Sequence, residues 1–213
     1  MGNSHQNQDG SYLTNVEMAF FLKSINFSEC HLVGDIGAGA GKFSLLAAEK
    51  NVEVVAIDID LPGLRRLRFK NRLVNVVLAD VRNIPLKEDI LDAAFMIEVI
   101  DYIPESDTVL VECSRILKNG CSMVFSFGNK ASLKAKLRNL QGKNYMHSYD
   151  EIANELRKVG FKLVRKEGFN WLLFNRTSEN SLVPLSAKME RLFGLREMPS
   201  VSPWVMTHAV KQE

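Results

Sequence analysis

The stretch "VGDIGAGAGKFS" sets Asp35 ahead of glycines at positions 37, 39 and 41, directly behind an apolar run. Alternating glycines let the chain turn sharply and let a flat ligand approach the backbone without meeting Cβ atoms. Two phosphate-binding readings fail on spacing. A Walker A loop needs glycine five residues ahead of its Gly-Lys pair and a hydroxyl residue behind it, and this chain has Ile36 and Phe43 there. The dinucleotide fingerprint beginning at Gly37 needs glycine or alanine where Lys42 stands. What remains is D-x-G-x-G-x-G, in which the Asp35 carboxylate disfavours a pyrophosphate and suits a ligand bearing an ammonium group, directly or through water.

Two further carboxylates follow at matching intervals. "VVAIDID" places Asp58 twenty-one residues beyond Gly37, the offset at which an acid accepts the hydroxyls of an unphosphorylated ribose; the competing role is a helix N-cap. "LADV" places Asp80 where it can take an adenine amino group, beside Val81 with its backbone N–H. An aspartate there can also simply start a turn. All three acids fall at carboxyl ends of strand-like runs, where open α/β sheets bind ligands.

The elements that must position these residues alternate regularly. Leu13, Val16, Phe20, Leu22 and Ile25 predict a helix from Tyr12 to Ile25. Then come "HLVGDI", a helix from Lys42, "VEVVAID", a basic helix near Leu64, "NVVLAD", "LDAAFMI", a helix from Thr108 to Leu117, and "SMVFSF". Strand and helix in this rhythm predict right-handed crossovers and a parallel sheet covered on both faces. Beyond Gly128 the chain reads as a basic stretch, a helix "SYDEIANELRKVG", a strand "FKLVRKEG", a short helix "SAKMERLFG" and a last run "PWVMTHAV". The expected organisation is a flexible tail over 1–10 and one domain over 11–213, made of an N-terminal helix (11–30), a cofactor-binding half (31–128) and a substrate-side half (129–213).

On "VGDIGAGAGKFS", "VVAIDID", "LADVRNIPL", "LDAAFMIEVIDYIP" and "RILKNGCSMVFS", the chain resembles the class I S-adenosylmethionine-dependent methyltransferases, particularly a small-molecule branch of quinone-biosynthesis-like enzymes. The resemblance covers residues 30 to 128; the tail matches only in general layout. It implies an α/β, Rossmann-like, seven-stranded, mostly parallel sheet with helices on both faces and an antiparallel last strand, for which "PWVMTHAV" is the candidate. It also implies S-adenosyl-L-methionine as cofactor, held by Asp35, Gly37, Ala38, Gly39, Gly41, Asp58, Ile59, Asp80, Val81 and Glu98. The stretch from Glu98 to Tyr102 is then expected to line the methionine end and the reaction centre. Tyr102 stands where many relatives carry histidine, and "KNGC" replaces the usual Pro-Gly-Gly turn.

Methyl transfer from a sulfonium is an in-line displacement on an already activated carbon, so the protein mainly aligns the nucleophile and excludes water. An oxygen or carbon acid still needs its proton removed. His147, in "YMHSYDEI", is the candidate base, with Tyr102 and Asp101 beside it on the catalytic side; the plain alternative for His147 is a solvated loop residue. Tyr12 is either a packing residue or a cover over the methyl group. Formal net charge is only +2, unlike a dedicated nucleic-acid binder. The basic runs Arg65 to Arg72 and Lys130 to Asn139 read first as solvated helix faces, with an anionic substrate or RNA as the alternative. Cys30, Cys113 and Cys121 show no CxxC spacing and read as reduced thiols, and no metal cluster is indicated. No run is long enough to span a membrane and the start is polar, which predicts a cytoplasmic protein. The leading expectation is a small-molecule methyltransferase with O-methylation preferred. The rivals are an RNA methyltransferase using the basic tail and a non-catalytic S-adenosylmethionine-binding regulatory module.

Overall fold

A computed structural model describes residues 8–139, 147–171 and 183–213. Helix α1 (Gln8–Ser24) leads into β1 (Leu32–Ile36), α2 (Lys42–Ala48), β2 (Glu53–Asp58), α3 (Leu61–Arg68), β3 (Val74–Leu78) and β4 (Leu91–Met96). The chain continues through α4 (Ser106–Ile116), β5 (Leu117–Gly128), α5 (Leu133–Asn139), α6 (Tyr149–Lys158), β6 (Phe161–Phe169), α7 (Val183–Leu192) and β7 (Trp204–Lys211). The expected tail is therefore shorter than residues 1–10: Gln8 to Gly10 already belong to α1, while residues 1–7 lie outside the described residues. So does the side chain of Tyr12.

The sheet order is β3-β2-β1-β4-β5-β7-β6. β1 to β5 pair in parallel, and β7 runs antiparallel between β5 and β6. Such a sheet has no solvent face, so its central strands are mostly apolar, with Asp35 in β1 and Asp92 near the start of β4 as exceptions. Side chains of β4 alternate between two cores: Ala94 and Met96 pack with α4 and α6 residues such as Val109, Ile116, Ile152 and Leu156. Ala93 and Phe95 pack with Val16, Phe20 and Phe21 of α1, Ala47 of α2 and Leu64 of α3. The arginines of α3 are exposed while Leu64 and Leu67 are buried, so that basic run is a solvated helix face.

The order of the sheet places the site. β1 and β4 are neighbours although two strands and two helices separate them in sequence. The chain leaves β1 toward β2 on one side and enters β4 on the other, and the connections diverge above their carboxyl ends. This switch point is where a doubly wound sheet opens a crevice.

Candidate functional site

The glycine loop joins β1 to α2 and is held from three sides. The N–H groups of Gly37 and Ala38 donate to the Ile57 carbonyl at 2.8 and 3.0 Å, and Gly41 N–H donates to Ala38 O at 2.8 Å. Gly39 N–H donates to Asp58 Oδ2 at 2.6 Å. All three glycines have positive φ, the region an L side chain rarely adopts. At Gly37 (φ +79°) a Cβ would lie 2.4 Å from Val99 Cγ2, and at Gly41 (φ +75°) 2.2 Å from Leu67 Cδ1. Glycine is needed there for close packing against the protein itself. At Gly39 a Cβ would meet nothing within 4 Å, so the open side of the loop lies over that residue.

A cleft of about 460 Å³ lies at the switch point, lined by Gly37, Asp58, Ile59, Asp80, Val81 and Glu98, with Tyr102 beyond them. Six of the residues expected to hold the cofactor thus share one cavity with one of the three expected to do chemistry. Asp58 accepts from Gly39 N–H and, through Oδ1, from Asp60 N–H at 2.8 Å. It is not the helix cap: Asp60 caps α3 by accepting the Gly63 N–H. Ile59 is 74% exposed, an apolar side chain left for a flat ligand to cover. Glu98 has φ +64° and donates its N–H to Ser126 Oγ at 3.0 Å; such a backbone in a non-glycine residue costs roughly 1–2 kcal/mol and clusters at functional sites.

Ala38, Gly39, Gly41 and Asp35 stand behind this lining. Asp35 is fully buried, its Oδ2 accepts from Ser44 Oγ at 2.5 Å, and burial pushes its carboxyl up to about 7. A carboxyl partly neutral at physiological pH repels phosphate weakly, so the charge argument made from sequence is too strong. The loop supplies a better one. A phosphate cradle presents backbone N–H groups to the ligand, whereas four of the amides here are spent on Ile57, Ala38 and Asp58.

Asp80 sits at the cleft but is engaged by Arg82, whose Nε and Nη2 donate to it at 3.0 and 2.7 Å. This fork holds the Asp80 carboxyl down to about 2, and Arg82 Nη1 reaches Glu105 at 3.1 Å. Arg82, Val99, Ile103 and Pro104 complete the lining; Val99 falls in the stretch from Glu98 to Tyr102 expected there, and the other three, which had no expected role, are brought in by the fold.

The catalytic candidates separate. Tyr102 is 72% exposed at the end of a short 3-10 helix, Ile100–Tyr102. Asp101 is buried and turned inward, where Gly128 N–H donates to its Oδ2 at 2.7 Å. It ties the Tyr102 segment to the end of β5 and lies outside the cleft lining. His147 pairs with Asn129 just beyond the same strand end, and its carbonyl accepts the Lys130 N–H at 3.0 Å. Its Nε2 is buried with no hydrogen-bond partner among the described residues. That differs from the solvated-loop alternative, although His147 is not in the cleft lining either. Among the described residues no cluster of His, Cys, Asp and Glu could hold a metal ion. Burial pushes the Cys113 thiol up to about 12, and all three cysteines are free.

Parallel strands, a glycine loop after the first and an acid ending the second define a Rossmann-like nucleotide-binding α/β domain. Comparison with known proteins adds a family match over part of the chain: residues 34–125 match the model described as a methyltransferase domain. The chain is 31% identical over 142 residues to a malonyl-[acyl-carrier protein] O-methyltransferase of Methylococcus capsulatus, spanning 62% of this chain and 52% of that protein. It is 24% identical to a ubiquinone biosynthesis O-methyltransferase of Acinetobacter baylyi, spanning 64% of this chain and 66% of that one. A solved SAM dependent methyltransferase of Archaeoglobus fulgidus shares the fold with a TM-score of 0.67 at 21% identity, over 93% of each chain. The chain spans about half the length of the malonyl relatives it matches. No helix among the described residues is long and apolar enough to cross a membrane.

Proposed function

We propose that this protein is an S-adenosylmethionine-dependent methyltransferase acting on a small molecule, with an oxygen nucleophile preferred. The observation that carries this reading is the inward use of the glycine-loop amides beside a cleft whose hydrogen-bond acceptors fit a nucleoside. Asp58 and Asp80 are carboxylates facing it, Ile59, Val81 and Val99 are apolar walls, and Gly39 leaves the loop open. The ribose hydroxyls would be held by Asp58, the adenine by Ile59, Val81 and Asp80, and the amino acid end by the loop and Glu98. Asp80 already carries the Arg82 fork, so adenine binding there shares or displaces that contact. The bound cofactor supplies an electrophilic methyl group.

The chain's own residues position the acceptor and manage its proton. Asp101, by accepting the Gly128 N–H, holds the Tyr102 segment at the end of β5, and the backbone of His147 pairs with Asn129 just beyond it. His147 Nε2, buried and without a hydrogen-bond partner among the described residues, is the group we assign to accept the proton of a hydroxyl. The relatives named above support O-methylation, as both are named O-methyltransferases. Calorimetry with S-adenosylhomocysteine, NAD and ATP tests the reading. Binding of the first alone is expected; NAD binding as tight would overturn it.

A further inference from the structure

The last turn of helix α7 buries a carboxylate and exposes apolar side chains. Glu190 is its buried residue among 188–192, 2% exposed, and its Oε1 accepts the Trp171 N–H at 2.9 Å. Trp171 in turn donates its indole N–H to Leu195 O at 3.0 Å. With the inner side fixed by these polar contacts, Met189, Leu192 and Phe193 face solvent, at 46, 77 and 63% exposure. Leu192 is three residues beyond Met189, and Phe193, in the turn that follows the helix, is four beyond it and donates its N–H to Met189 O at 2.9 Å, so Met189 neighbours both and the three form one stripe, with the exposed cations Lys188 and Arg191 interleaved. Met198 and Val201, just beyond, are exposed as well.

Beside this stripe lies a cavity of about 600 Å³ between α1, β6 and the end of α7, and it is rich in cations. Glu167 is shared by Arg165 at 2.5 Å and Arg196 at 3.6 Å. Lys23 and Arg191 have no carboxylate within ion-pair distance among the described residues, and with Glu167 and Glu197 as the two acids of the lining against five Lys and Arg side chains, positive charge is left over in the cavity. Val16, Ala19 and Phe20 give the cavity an apolar floor.

Exposed large apolar side chains on a helix flanked by uncompensated cations match the chemistry of a lipid–water interface, where apolar groups enter the acyl boundary and cations meet anionic headgroups. A soluble partner with an apolar patch would account for the stripe and leave the arginine cavity unexplained. We propose that the α7 face docks on an anionic lipid surface: Met189, Leu192 and Phe193 enter the headgroup layer, and Lys23 and Arg191 take headgroup phosphate at the cavity mouth. The inference stands independently of the methyl-transfer reading, because none of these residues lines the nucleoside cleft.

Vesicle co-sedimentation of the full chain tests it, using phosphatidylcholine alone and phosphatidylcholine mixed with phosphatidylglycerol. Sedimentation with the mixed vesicles only is expected. Leu192→Ser with Phe193→Ser is expected to weaken it at least about tenfold, and Lys23→Gln and Arg191→Gln roughly fivefold each. Melting curves and S-adenosylhomocysteine binding of these variants are expected to match the native chain, which separates lost docking from lost fold. No sedimentation, equal sedimentation with neutral vesicles, or unchanged sedimentation of the Leu192/Phe193 variant would each overturn the proposal. So would a dimer that the same pair of substitutions dissociates, since a second copy would then cover the stripe.

Discussion

Asp35→Asn removes one charge from the centre of the molecule and keeps the shape of the side chain. Burial moves the Asp35 carboxyl from 3.8 to about 7, against the lowering effect of Ser44. The displacement of roughly three units, at 1.36 kcal/mol per unit, makes the ionised carboxylate cost the fold on the order of 4 kcal/mol. Below pH 3.8 the group is protonated in both the folded and unfolded chain, and no penalty exists. Between 3.8 and about 7 the unfolded chain releases its proton while the folded chain retains it, so stability falls as pH rises, and above about 7 the loss is complete. Asparagine can still accept from Ser44 and does not titrate. Urea denaturation of both proteins across this range, with the difference taken at each pH, cancels every other titration. The stability of the variant minus that of the native chain is expected to grow by about 4 kcal/mol from the acid to the alkaline end. A difference that stays flat with pH would refute the burial argument.

Gly37→Ala is expected to cost more stability than Gly39→Ala, by about 1–3 kcal/mol, because its Cβ would strike Val99 while that of Gly39 meets open space. Comparing the two melting curves checks this, and equal losses would refute it. Asp58→Ala is expected to weaken S-adenosylhomocysteine binding by about 1–3 kcal/mol and also to lower stability, since it strips the acceptor from Gly39 and Asp60 N–H. Asp60→Ala is expected to cost about 1 kcal/mol of stability and to spare affinity; calorimetry on both variants decides. His147→Ala is expected to lower turnover at least about tenfold and to leave S-adenosylhomocysteine affinity unchanged. Unchanged turnover would return the search for a base to Tyr102 and Glu98.

The alternation of apolar runs and helical patterns was enough to read the parallel half of the sheet, because side-chain period and strand length are local properties of the chain. The place of Asp58 at a strand end was legible for a related reason. The β1–α2–β2 unit has a fixed size, so a carboxylate twenty-one residues past Gly37 must end the neighbouring strand. Roles that depend on contacts across the sheet were not legible. Asp101 was a catalytic candidate by its place after β4, and only the fold shows its carboxylate accepting the Gly128 N–H, twenty-seven residues away. Gly37 and Gly41 looked like clearance for a ligand, whereas their Cβ positions are filled by Val99 and Leu67. Arg82, two residues past Asp80, had no expected role and reaches Glu105 because the end of β3 and the approach to α4 converge. Local periodicity determines which elements form and in what order; which side chains meet above the sheet is decided by strand order and packing, and those are properties of the whole chain.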